Sequence, residues 1–450
     1  MRKLFGTDGI RGLANVEPMT PELALNLGGA VVREVRRRHG KSRPRVFIGN
    51  DTRCSSDMLE HAFASGVASM GGEAHLLGVT PTPAVAYLTH SQKADVGVMI
   101  SASHNPYQDN GIKLFGPAGY KLTDDEELEI EQLLEADARE GRPQGEQIGR
   151  VFPRDELIED YMEFVKGSLS AGLDLSGLSL VVDCANGAAS AVVPSALKEL
   201  GARLTVLHAE PNGMNINQGC GALHPEVVSQ AVVETGADLG LTFDGDADRV
   251  LAVDEAGHLR DGDYLLAIFT RELLSSGRMT DPVVVTTVMA NLGLDVAMRE
   301  MDVELVKTRV GDRYVLEEMS QRKAILGGEQ SGHIIFLDHQ TTGDGILSAL
   351  QLLDTLVSSK QPLSKLSSLM EKYPQILINV RVSKKADPLG EPTIKEAVEA
   401  AERKLADSGR VLVRASGTEL LVRVMIEGRD EAVIRKEAEN IAQVVKSVLG

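Results

Sequence analysis

Short runs of apolar, often β-branched residues alternate with segments of helical periodicity through most of the chain. This alternation predicts parallel sheets with crossover helices, because parallel strands cannot be joined by a tight turn. Several runs end in small polar residues. We therefore expect functional groups at the carboxyl edges of the sheets, where α/β proteins bind ligands. The predicted strands span residues 45–49, 96–100, 179–183, 239–243 and 283–288.

The last part of the chain has a different order of elements. Strands are predicted at 376–382, 411–414 and 422–427, and helices at 391–405 and 430–449, which is an α+β arrangement. A chain of 450 residues is long enough for about three or four domains, and we count four. The predicted domain ranges are 1–152, 153–254, 255–368 and 369–450.

Two helix starts are visible in the sequence. Thr20 followed by Pro21 is typical of an N-cap with proline at the first helical position. Thr123 and Glu126 fit a capping box that opens an acidic helix running to about Ala138. We interpret the acidic residues of that helix as a solvated face.

Composition excludes several classes of function. The formal net charge is −18 and the chain has no tryptophan, which disfavours nonspecific binding to nucleic acid or to anionic membranes. Cys54, Cys184 and Cys220 are far apart and have no metal-site spacing. No signal peptide and no membrane-spanning run is apparent. We expect a cytoplasmic protein, monomeric or homodimeric, with a small-molecule partner.

The apolar run 96–100 stops abruptly at a polar loop. Pro106 disfavours helical geometry at Asn105, so the chain must turn there. Ser103 is therefore predicted to present its hydroxyl at a strand tip, with His104 and Lys113 near it in sequence. The alternative is a polar turn of the kind found in many α/β proteins.

Three carboxylates follow the apolar run 239–243. Asp244, Asp246 and Asp248 would repel one another unless a cation held them together, and a set of oxygen ligands suits Mg²⁺ or Ca²⁺. An EF-hand has similar spacing but needs glycine where this chain has Arg249. We reject the EF-hand and favour a metal site over an acidic surface turn. A phosphate on Ser103 would supply a further oxygen to Mg²⁺ and would link the two loops.

Three further segments carry plausible binding groups. Residues 414–419, with Arg423 nearby, combine arginine, hydroxyls and a glycine, which fits an anion cradle as well as an ordinary turn. The glycine-bracketed segment 327–333 offers a carboxylate, a hydroxyl and the imidazole of His333 for sugar hydroxyls and proton transfer. That histidine could equally be an ordinary turn residue. Segment 5–12 is rich in glycine and contributes Arg11.

Taken together, these motifs resemble the α-D-phosphohexomutase superfamily over essentially the whole chain. The resemblance implies three related α/β domains with mostly parallel mixed sheets, and a C-terminal α+β domain, around a central cleft. It also implies that Ser103 is a phosphoserine and that Asp244, Asp246 and Asp248 hold one Mg²⁺ together with it. The motifs that carry the resemblance are residues 5–12, 100–113, 243–249, 328–333 and 414–423.

The resemblance further implies roles for individual side chains. Lys113 and His333 are the family's candidates for proton transfer, and two arginines lie nearby for charge. The implied catalytic set is Ser103, His104, Lys113, Arg11, Arg249 and His333. The implied substrate-binding set, for sugar hydroxyls and for the non-reacting phosphate, is Gly311, Asp312, Glu329, Ser331, Arg414, Ser416, Gly417, Thr418 and Arg423.

Residues 6–12, 311–315 and 329–333 favour the subfamily that acts on amino-sugar phosphates. The implied reaction converts glucosamine 6-phosphate to glucosamine 1-phosphate through a bisphosphate, and feeds UDP-N-acetylglucosamine and cell-wall precursor synthesis. The closest alternative is a phosphoglucomutase or phosphomannomutase. Two further alternatives remain. One is an aspartyl-phosphate phosphatase, with Asp244 as nucleophile and Asp246 as acid, and the other is a noncatalytic phosphosugar-binding protein.

The sequence departs from the family pattern at two positions. Leu420 stands where the family usually has proline after Glu419, which loosens the backbone of that loop. We expect weaker substrate ordering at most. Ala247 replaces the glycine often found between the second and third aspartates. This is expected to be harmless unless that residue needs a positive φ.

Overall fold

The computed structural model describes residues 4–6, 8–135, 141–383, 387–415 and 420–450. The chain forms two compact units, residues 1–289 with 303–368 and residues 290–302 with 369–450. The first contains three mixed sheets with helices, and the second a small antiparallel sheet with helices. The predicted combination of α/β domains with a C-terminal α+β domain is therefore confirmed. No helix in the described ranges is both long and apolar enough to cross a membrane.

The first sheet has six strands, in the order β1-β5-β4-β2-β3-β6. Its strands are β1 (Ile10–Leu13), β2 (Arg45–Asn50), β3 (Glu73–Val79), β4 (Val96–Ile100), β5 (Asp109–Phe115) and β6 (Arg150–Pro153). Its helices are α1 (Pro21–His39), α2 (Ser56–Ser69), α3 (Thr82–Ser91) and α4 (Asp124–Glu135). β2 runs parallel to β3 and β4, whereas β5 is antiparallel to both of its neighbours. The turn between β4 and β5 therefore carries Ser103 at the sheet edge.

Both predicted helix starts are present. The Thr20 side chain accepts a hydrogen bond from the Leu23 amide, and Pro21 is the first residue of α1. Thr123 and Glu126 exchange the hydrogen bonds of a capping box at the start of α4. These bonds satisfy amides that the first helical turn leaves without partners. The predicted end of this helix at Ala138 lies outside the described residues.

The second sheet has five strands, in the order β11-β10-β9-β7-β8. Its strands are β7 (Ser179–Asp183), β8 (Arg203–Leu207), β9 (Leu239–Phe243), β10 (Val250–Asp254) and β11 (Leu259–Arg260). Its helices are α5 (Ile158–Gly167), α6 (Val193–Glu199) and α7 (Pro225–Thr235). β9 and β10 form an antiparallel hairpin whose connection carries the three aspartates. Because β11 pairs with β10, the sheet continues beyond the domain boundary predicted at 254.

The third sheet has four strands, in the order β13-β12-β14-β15. Its strands are β12 (Val283–Thr287), β13 (Glu304–Thr308), β14 (Leu326–Gly328) and β15 (Ile334–Phe336). The helices of this part of the chain are α8 (Gly262–Ser275), α9 (Leu292–Glu300), α10 (Asp312–Arg322), α11 (Gly345–Ser359) and α12 (Leu363–Leu366). α9 follows β12 in the chain but belongs to the second compact unit.

The second unit is built on an antiparallel sheet in the order β16-β18-β17. Its elements are β16 (Gln375–Arg381), α13 (Pro392–Leu405), β17 (Gly409–Ala415), β18 (Leu421–Gly428) and α14 (Glu431–Leu449). These bounds confirm the predicted α+β arrangement. The Asn291 side chain accepts from the Tyr373 amide at 2.9 Å and donates to the Tyr373 carbonyl at 3.0 Å. These two bonds tie the start of α9 to this unit.

Glu60 on α2 is expected to make stability depend on pH. Burial raises the pKa of Glu60 to about 7, although His61 and Asn50 act in the opposite direction. The unfolded chain loses this proton near pH 4.5 and the folded chain only near pH 7, so stability falls as pH rises through that window. Replacing Glu60 by glutamine should therefore raise the free energy of unfolding at both pH values, and by roughly 2 kcal/mol more at about pH 8 than at about pH 5.

Urea unfolding at the two pH values measures this difference. Asp57→Asn, which changes an exposed acid on the same helix, is the matched control and should show a much smaller dependence on pH. An equal effect of Glu60→Gln at both pH values would contradict the prediction.

Candidate active site

The loop that follows β4, residues 101–106, is here called the serine turn. Ser103 is buried and has a backbone φ of +53°, in the left-handed region that non-glycine residues seldom occupy. The Ser101 hydroxyl accepts from the Ser103 amide at 2.8 Å and donates to Asp51 at 2.7 Å. The turn is thus held in an unusual backbone conformation by buried hydrogen bonds.

Arg53 is the main support of the serine turn. Its side chain is fully buried, and Nε donates to Asp51 Oδ2 at 2.8 Å. The two terminal nitrogens donate to carbonyl oxygens of four residues in and just after the turn, namely Ser103, Asn105, Pro106 and Asp109. A guanidinium offers five donors in a fixed plane, so one side chain can fix several carbonyls at once.

Asn217, from the loop that precedes α7, supports the same turn from the second sheet. Its amide nitrogen donates to the carbonyls of Ser103 at 2.9 Å and Asn105 at 3.1 Å. Sequence reasoning identified neither Arg53 nor Asn217. The only available signal for Arg53 was its position in a polar segment after β2. Asn217 had none, because its bond to Ser103 joins residues 114 positions apart.

The three aspartates lie on the β9–β10 connection, here called the acid loop (residues 244–249). All three are buried, and one carboxylate oxygen from each lies within 4.8 Å of the others. The hydroxyl of Ser103 donates to Asp244 Oδ2 at 2.7 Å. The structure therefore brings together the strand-tip serine and the acid cluster that the sequence singled out separately.

The acids strongly perturb one another. Burial raises the pKa of Asp244 well above its usual range, and the charges of Asp248 and Asp246 raise it further. Lys113 Nζ donates to Asp246 Oδ2 at 2.9 Å and lies 3.7 Å from Asp248 Oδ2. Burial alone would lower the pKa of Lys113, but these carboxylates and Asp8 raise it, so this lysine keeps its proton.

The acid loop fits a divalent cation. Asp246 Oδ1 and Asp248 Oδ1 are buried and make no hydrogen bond within the described ranges. Buried carboxylate oxygens without partners are costly, and a cation would satisfy them and relieve the repulsion. A set of hard oxygen ligands suits Mg²⁺. Asp246 is also fixed by the Thr82 hydroxyl, which donates to its Oδ2 at 2.7 Å.

Ala247, between the second and third acids, adopts a φ of +56°. Ala247 was expected to be harmless unless its position needs a positive φ, and the position does have one. A left-handed conformation costs a residue with a Cβ atom about 1 kcal/mol relative to glycine. The Ala247 amide donates to the Asp244 carbonyl at 3.1 Å, and this bond closes the loop in spite of the strain.

A cavity of about 380 Å³ opens beside the acid loop. Its polar lining combines residues from the three sheets of the first unit. These residues are Asp8, Arg11, His104, Asp248, Arg249, Gly311, Asp312, Glu329 and His333. Arg11 contacts Asp8, and Lys121 bridges Asp8 and Asp312. Mixed positive and negative groups around one cavity suit a ligand that carries both hydroxyl and phosphate groups.

The imidazole of His104 lies beside the serine. Its Nδ1 is 3.2 Å from Ser103 Oγ. Burial lowers the pKa of His104 to about 4, and the charges of Arg249 and Arg11 contribute to the shift. His104 is therefore neutral near pH 7 and can accept a proton.

His333 also lines the cavity. Its Nδ1 is 3.5 Å from Asp248 Oδ2, and its Nε2 accepts from the Gly343 amide at 3.1 Å. Burial alone would lower the pKa of His333, but Asp248 and Asp312 raise it overall. These two carboxylates therefore favour the protonated form of the ring.

Two of the predicted sugar-binding residues lie on the loop between β14 and β15. Glu329, which lines the cavity, accepts a hydrogen bond at Oε1 from the Gly311 amide at 3.2 Å. Ser331 has a buried hydroxyl that makes no hydrogen bond to any described residue. Both groups keep capacity to bind hydroxyls of a ligand.

The predicted phosphate loop lies in the second unit. Arg414 on β17 and Arg423 on β18 are directly opposite each other in the sheet. Burial lowers the pKa of Arg414, and the charge of Arg423 adds to the effect. Two adjacent cations favour an anion between them. Ser416, Gly417 and Thr418 lie outside the described residues.

Comparison with known proteins gives a consistent result along the whole chain. Models of the phosphoglucomutase/phosphomannomutase family match all four parts: α/β/α domain I at residues 2–140, domain II at 159–257, domain III at 261–373 and the C-terminal domain at 377–444. The chain belongs to this family. The same four-part order was expected from the sequence motifs.

Relatives of this phosphoglucomutase/phosphomannomutase family member include the phosphoglucosamine mutases of Syntrophotalea carbinolica and Desulforamulus reducens. Each is 51% identical to the chain, and each match covers 100% of the chain. The matches cover 98% of the Syntrophotalea protein and 100% of the Desulforamulus protein. A family protein from Burkholderia thailandensis has a similar structure, with a TM-score of 0.81, 24% identity and coverage of 99% and 98%. Aspergillus fumigatus N-acetylphosphoglucosamine mutase, solved with GlcNAc-6P and magnesium, has a TM-score of 0.72, 18% identity and coverage of 100% and 96%.

Proposed function

We propose that this chain catalyses the reversible conversion of glucosamine 6-phosphate to glucosamine 1-phosphate, the reaction of a phosphoglucosamine mutase. Full-length relatives of that name, about half identical to the chain, support the substrate. The observation that carries the mechanism is the 2.7 Å hydrogen bond from Ser103 Oγ to Asp244. This bond supports a nucleophilic role for Ser103, because its oxygen lies next to carboxylates that suit a divalent cation.

The reaction is a double phosphoryl transfer with Ser103 phosphorylated at the start. The 1-hydroxyl oxygen of the substrate attacks phosphorus and gives its proton to a base, while the bond from phosphorus to Ser103 Oγ breaks and Oγ takes up a proton. The resulting bisphosphate then rotates end over end in the cavity. Ser103 Oγ attacks the 6-phosphate and gives up its proton, while the bond from phosphorus to the C6 oxygen breaks and that oxygen takes up a proton. Ser103 is again phosphorylated, so the cycle has no net cosubstrate.

The residues around Ser103 have distinct tasks in this scheme. Asp244, Asp246 and Asp248 would hold one Mg²⁺ together with the serine phosphate, and a cation bound there would neutralise charge on the phosphoryl group. Lys113 keeps the acid loop in place through its buried ion pairs. The arginines of the cavity lining, Arg11 and Arg249, attract the phosphate.

Two histidines are the proton-transfer groups of this proposal. His104 is neutral and lies 3.2 Å from Ser103 Oγ, so it accepts and returns a proton at this atom. His333 lines the cavity, and the carboxylates beside it favour its protonated form, so it is assigned to proton transfer with the substrate. Lys113, which the family resemblance favours for proton transfer, forms buried ion pairs with the acid loop, and these carboxylates hold its proton while no cation is bound.

The remaining predicted residues bind the parts of the substrate that do not react. Gly311, Asp312 and Glu329 line the cavity, and with Ser331 they bind sugar hydroxyls. The phosphate at the non-reacting end is assigned to Arg414, Ser416, Gly417, Thr418 and Arg423, by resemblance to the family motif. A buried, water-excluding site protects the phosphoserine from hydrolysis. The cytoplasm is the compartment proposed for this reaction.

Substrate competition tests the proposed specificity. The purified protein, supplied with Mg²⁺ and a catalytic amount of sugar bisphosphate, is assayed with glucosamine 6-phosphate, glucose 6-phosphate and mannose 6-phosphate. We expect kcat/KM to be at least about tenfold higher for glucosamine 6-phosphate. Equal or higher kcat/KM for glucose or mannose phosphate would favour the phosphoglucomutase or phosphomannomutase alternative.

A further inference from the structure

A second group of ligand-type side chains lies at the carboxyl edge of the five-stranded sheet. Asp183 is the last residue of β7, His208 follows β8, and Cys220 lies in the loop before α7. One carboxylate oxygen, one imidazole nitrogen and the sulfur all lie within 4.8 Å of one another. None of the three belongs to the cavity or to the acid loop described above.

The carboxylate of this group is fixed in place. Asp183 is fully buried, and its Oδ1 accepts from the Ala185 amide at 2.8 Å. Its Oδ2 accepts from the Gly221 amide at 3.0 Å. Each carboxylate oxygen can accept two bonds, so both keep a free lone pair. His208 Nδ1 lies 3.1 Å from Oδ2.

The Nδ1 nitrogen of His208 is able to form a hydrogen bond or bind a metal ion. Nδ1 is buried and makes no hydrogen bond in the described part of the chain, although Oδ2 of Asp183 is close. The rest of the ring is accessible, because 34% of the His208 side chain is exposed. The nitrogen therefore points into the group while the ring offers a path to solvent. A buried nitrogen without a hydrogen bond is costly, and a cation held between it and the Asp183 carboxylate would satisfy it.

The thiol of Cys220 is buried beside this carboxylate. Cys220 is fully buried, and its sulfur lies within 4.8 Å of the other two ligand atoms. A metal ion that binds this sulfur displaces the thiol proton, as in other thiolate sites.

We propose that Asp183, His208 and Cys220 bind a divalent cation of the zinc class, at a site separate from the acid loop. Sulfur, nitrogen and oxygen ligands together suit Zn²⁺ or Co²⁺, whereas the three aspartates suit Mg²⁺. Ligand atoms that share one Zn²⁺ lie about 3–4 Å apart, so only a small contraction is needed. Binding releases the thiol proton to solvent. The thiolate and the carboxylate then balance both charges of the ion, which leaves this buried site neutral.

The site is connected to the serine turn through a short loop. Asn217, three positions before Cys220 in the sequence, donates to the Ser103 carbonyl. Gly221, which follows Cys220, packs so closely that a Cβ atom there would lie 2.7 Å from the Phe243 carbonyl. A cation would cross-link the ends of β7 and β8 to this loop. We therefore expect it to raise the thermal unfolding midpoint.

Cobalt titration of the full-length protein tests the proposal. The chelator-treated protein is saturated with Mg²⁺, to occupy the acid loop, and is then titrated with Co²⁺. We expect one equivalent to bind with a near-ultraviolet sulfur-to-cobalt charge-transfer band. Cys220→Ser should abolish the band, and His208→Gln should weaken Co²⁺ binding at least about tenfold. The partly exposed His208 tolerates substitution, so that variant reports on the site even if Cys220→Ser fails to fold.

Three variants serve as matched controls. Cys54→Ser and Cys184→Ser change the other two cysteines and should keep the band, and so should Asp246→Asn in the acid loop. A wild-type protein without the band, or a band that survives Cys220→Ser, would overturn the proposal. No substrate is present in this measurement, so its outcome is independent of the proposed mutase reaction.

Discussion

Replacing Ser103 by alanine is expected to lower kcat by roughly 10⁴-fold or more, because the variant has no oxygen to carry the phosphoryl group. Alanine keeps the Cβ atom, so the left-handed backbone at this position is no more strained than in the wild type. KM and the thermal midpoint should change little. Turnover of glucosamine 6-phosphate, together with thermal unfolding, measures both effects.

A phosphate-labelling experiment separates this mechanism from its rival. After incubation with a labelled sugar bisphosphate, the wild-type protein should carry the label on the peptide that contains Ser103. Hydroxylamine-labile label on Asp244 would indicate the aspartyl-phosphate mechanism instead. Ser69→Ala is the matched control, because this α2 hydroxyl donates to the Gly66 carbonyl of its own helix. Undiminished turnover in Ser103→Ala would refute the nucleophile assignment.

Replacing Arg53 by lysine is expected to lower kcat by about 10²-fold with a much smaller change in KM. Lysine keeps a positive charge beside Asp51, but a single ammonium cannot reach the four carbonyls that the guanidinium holds. The serine turn then loses its fixed geometry. Displacement of a reacting atom by about 1 Å is enough for an effect of this size. Steady-state kinetics measures the separation between kcat and KM.

Arg45→Lys is the control for this prediction. Arg45 also donates to backbone carbonyls in the same domain, those of Gln92 and Lys93, but these lie at the other end of β4. Its replacement should leave kcat within about twofold of the wild type. Arg53→Met removes the charge entirely and should also destabilise the fold by about 3–5 kcal/mol, because Asp51 becomes an unpaired buried acid. Equal kcat values for Arg53→Lys and Arg45→Lys would contradict a positioning role.

The features that could be predicted are those determined by residues close together in the sequence. β4 and β9 are buried along their whole length, so their sequences are continuous apolar runs, and the residues that follow each run had to lie at a sheet edge. Charge repulsion among the three aspartates predicted a cation without any knowledge of the fold. The caps at Thr20 and Thr123 follow from the chemistry of single helical turns.

The unpredictable part depends on contacts between distant residues. The Arg53 side chain reaches carbonyls about fifty positions away, and backbone carbonyls leave no trace in a sequence. The grouping of Asp183, His208 and Cys220 depends on the order of the strands, which single-sequence periodicity does not specify. The left-handed backbone at Ser103 and Ala247 also depends on surrounding hydrogen bonds rather than on residue type.

Three contacts join the domain of the first sheet to that of the second: Ser103 to Asp244 and Asn217 to the Ser103 carbonyl, both at the serine turn, and Thr82 at the start of α3 to Asp246. In the proposed reaction, these three contacts keep the groups around Ser103 in fixed positions. A bisphosphate that rotates end over end meets the same groups in the same places before and after its rotation. One set of side chains can thus serve both halves of the cycle, and the forward and reverse directions share a single chemistry.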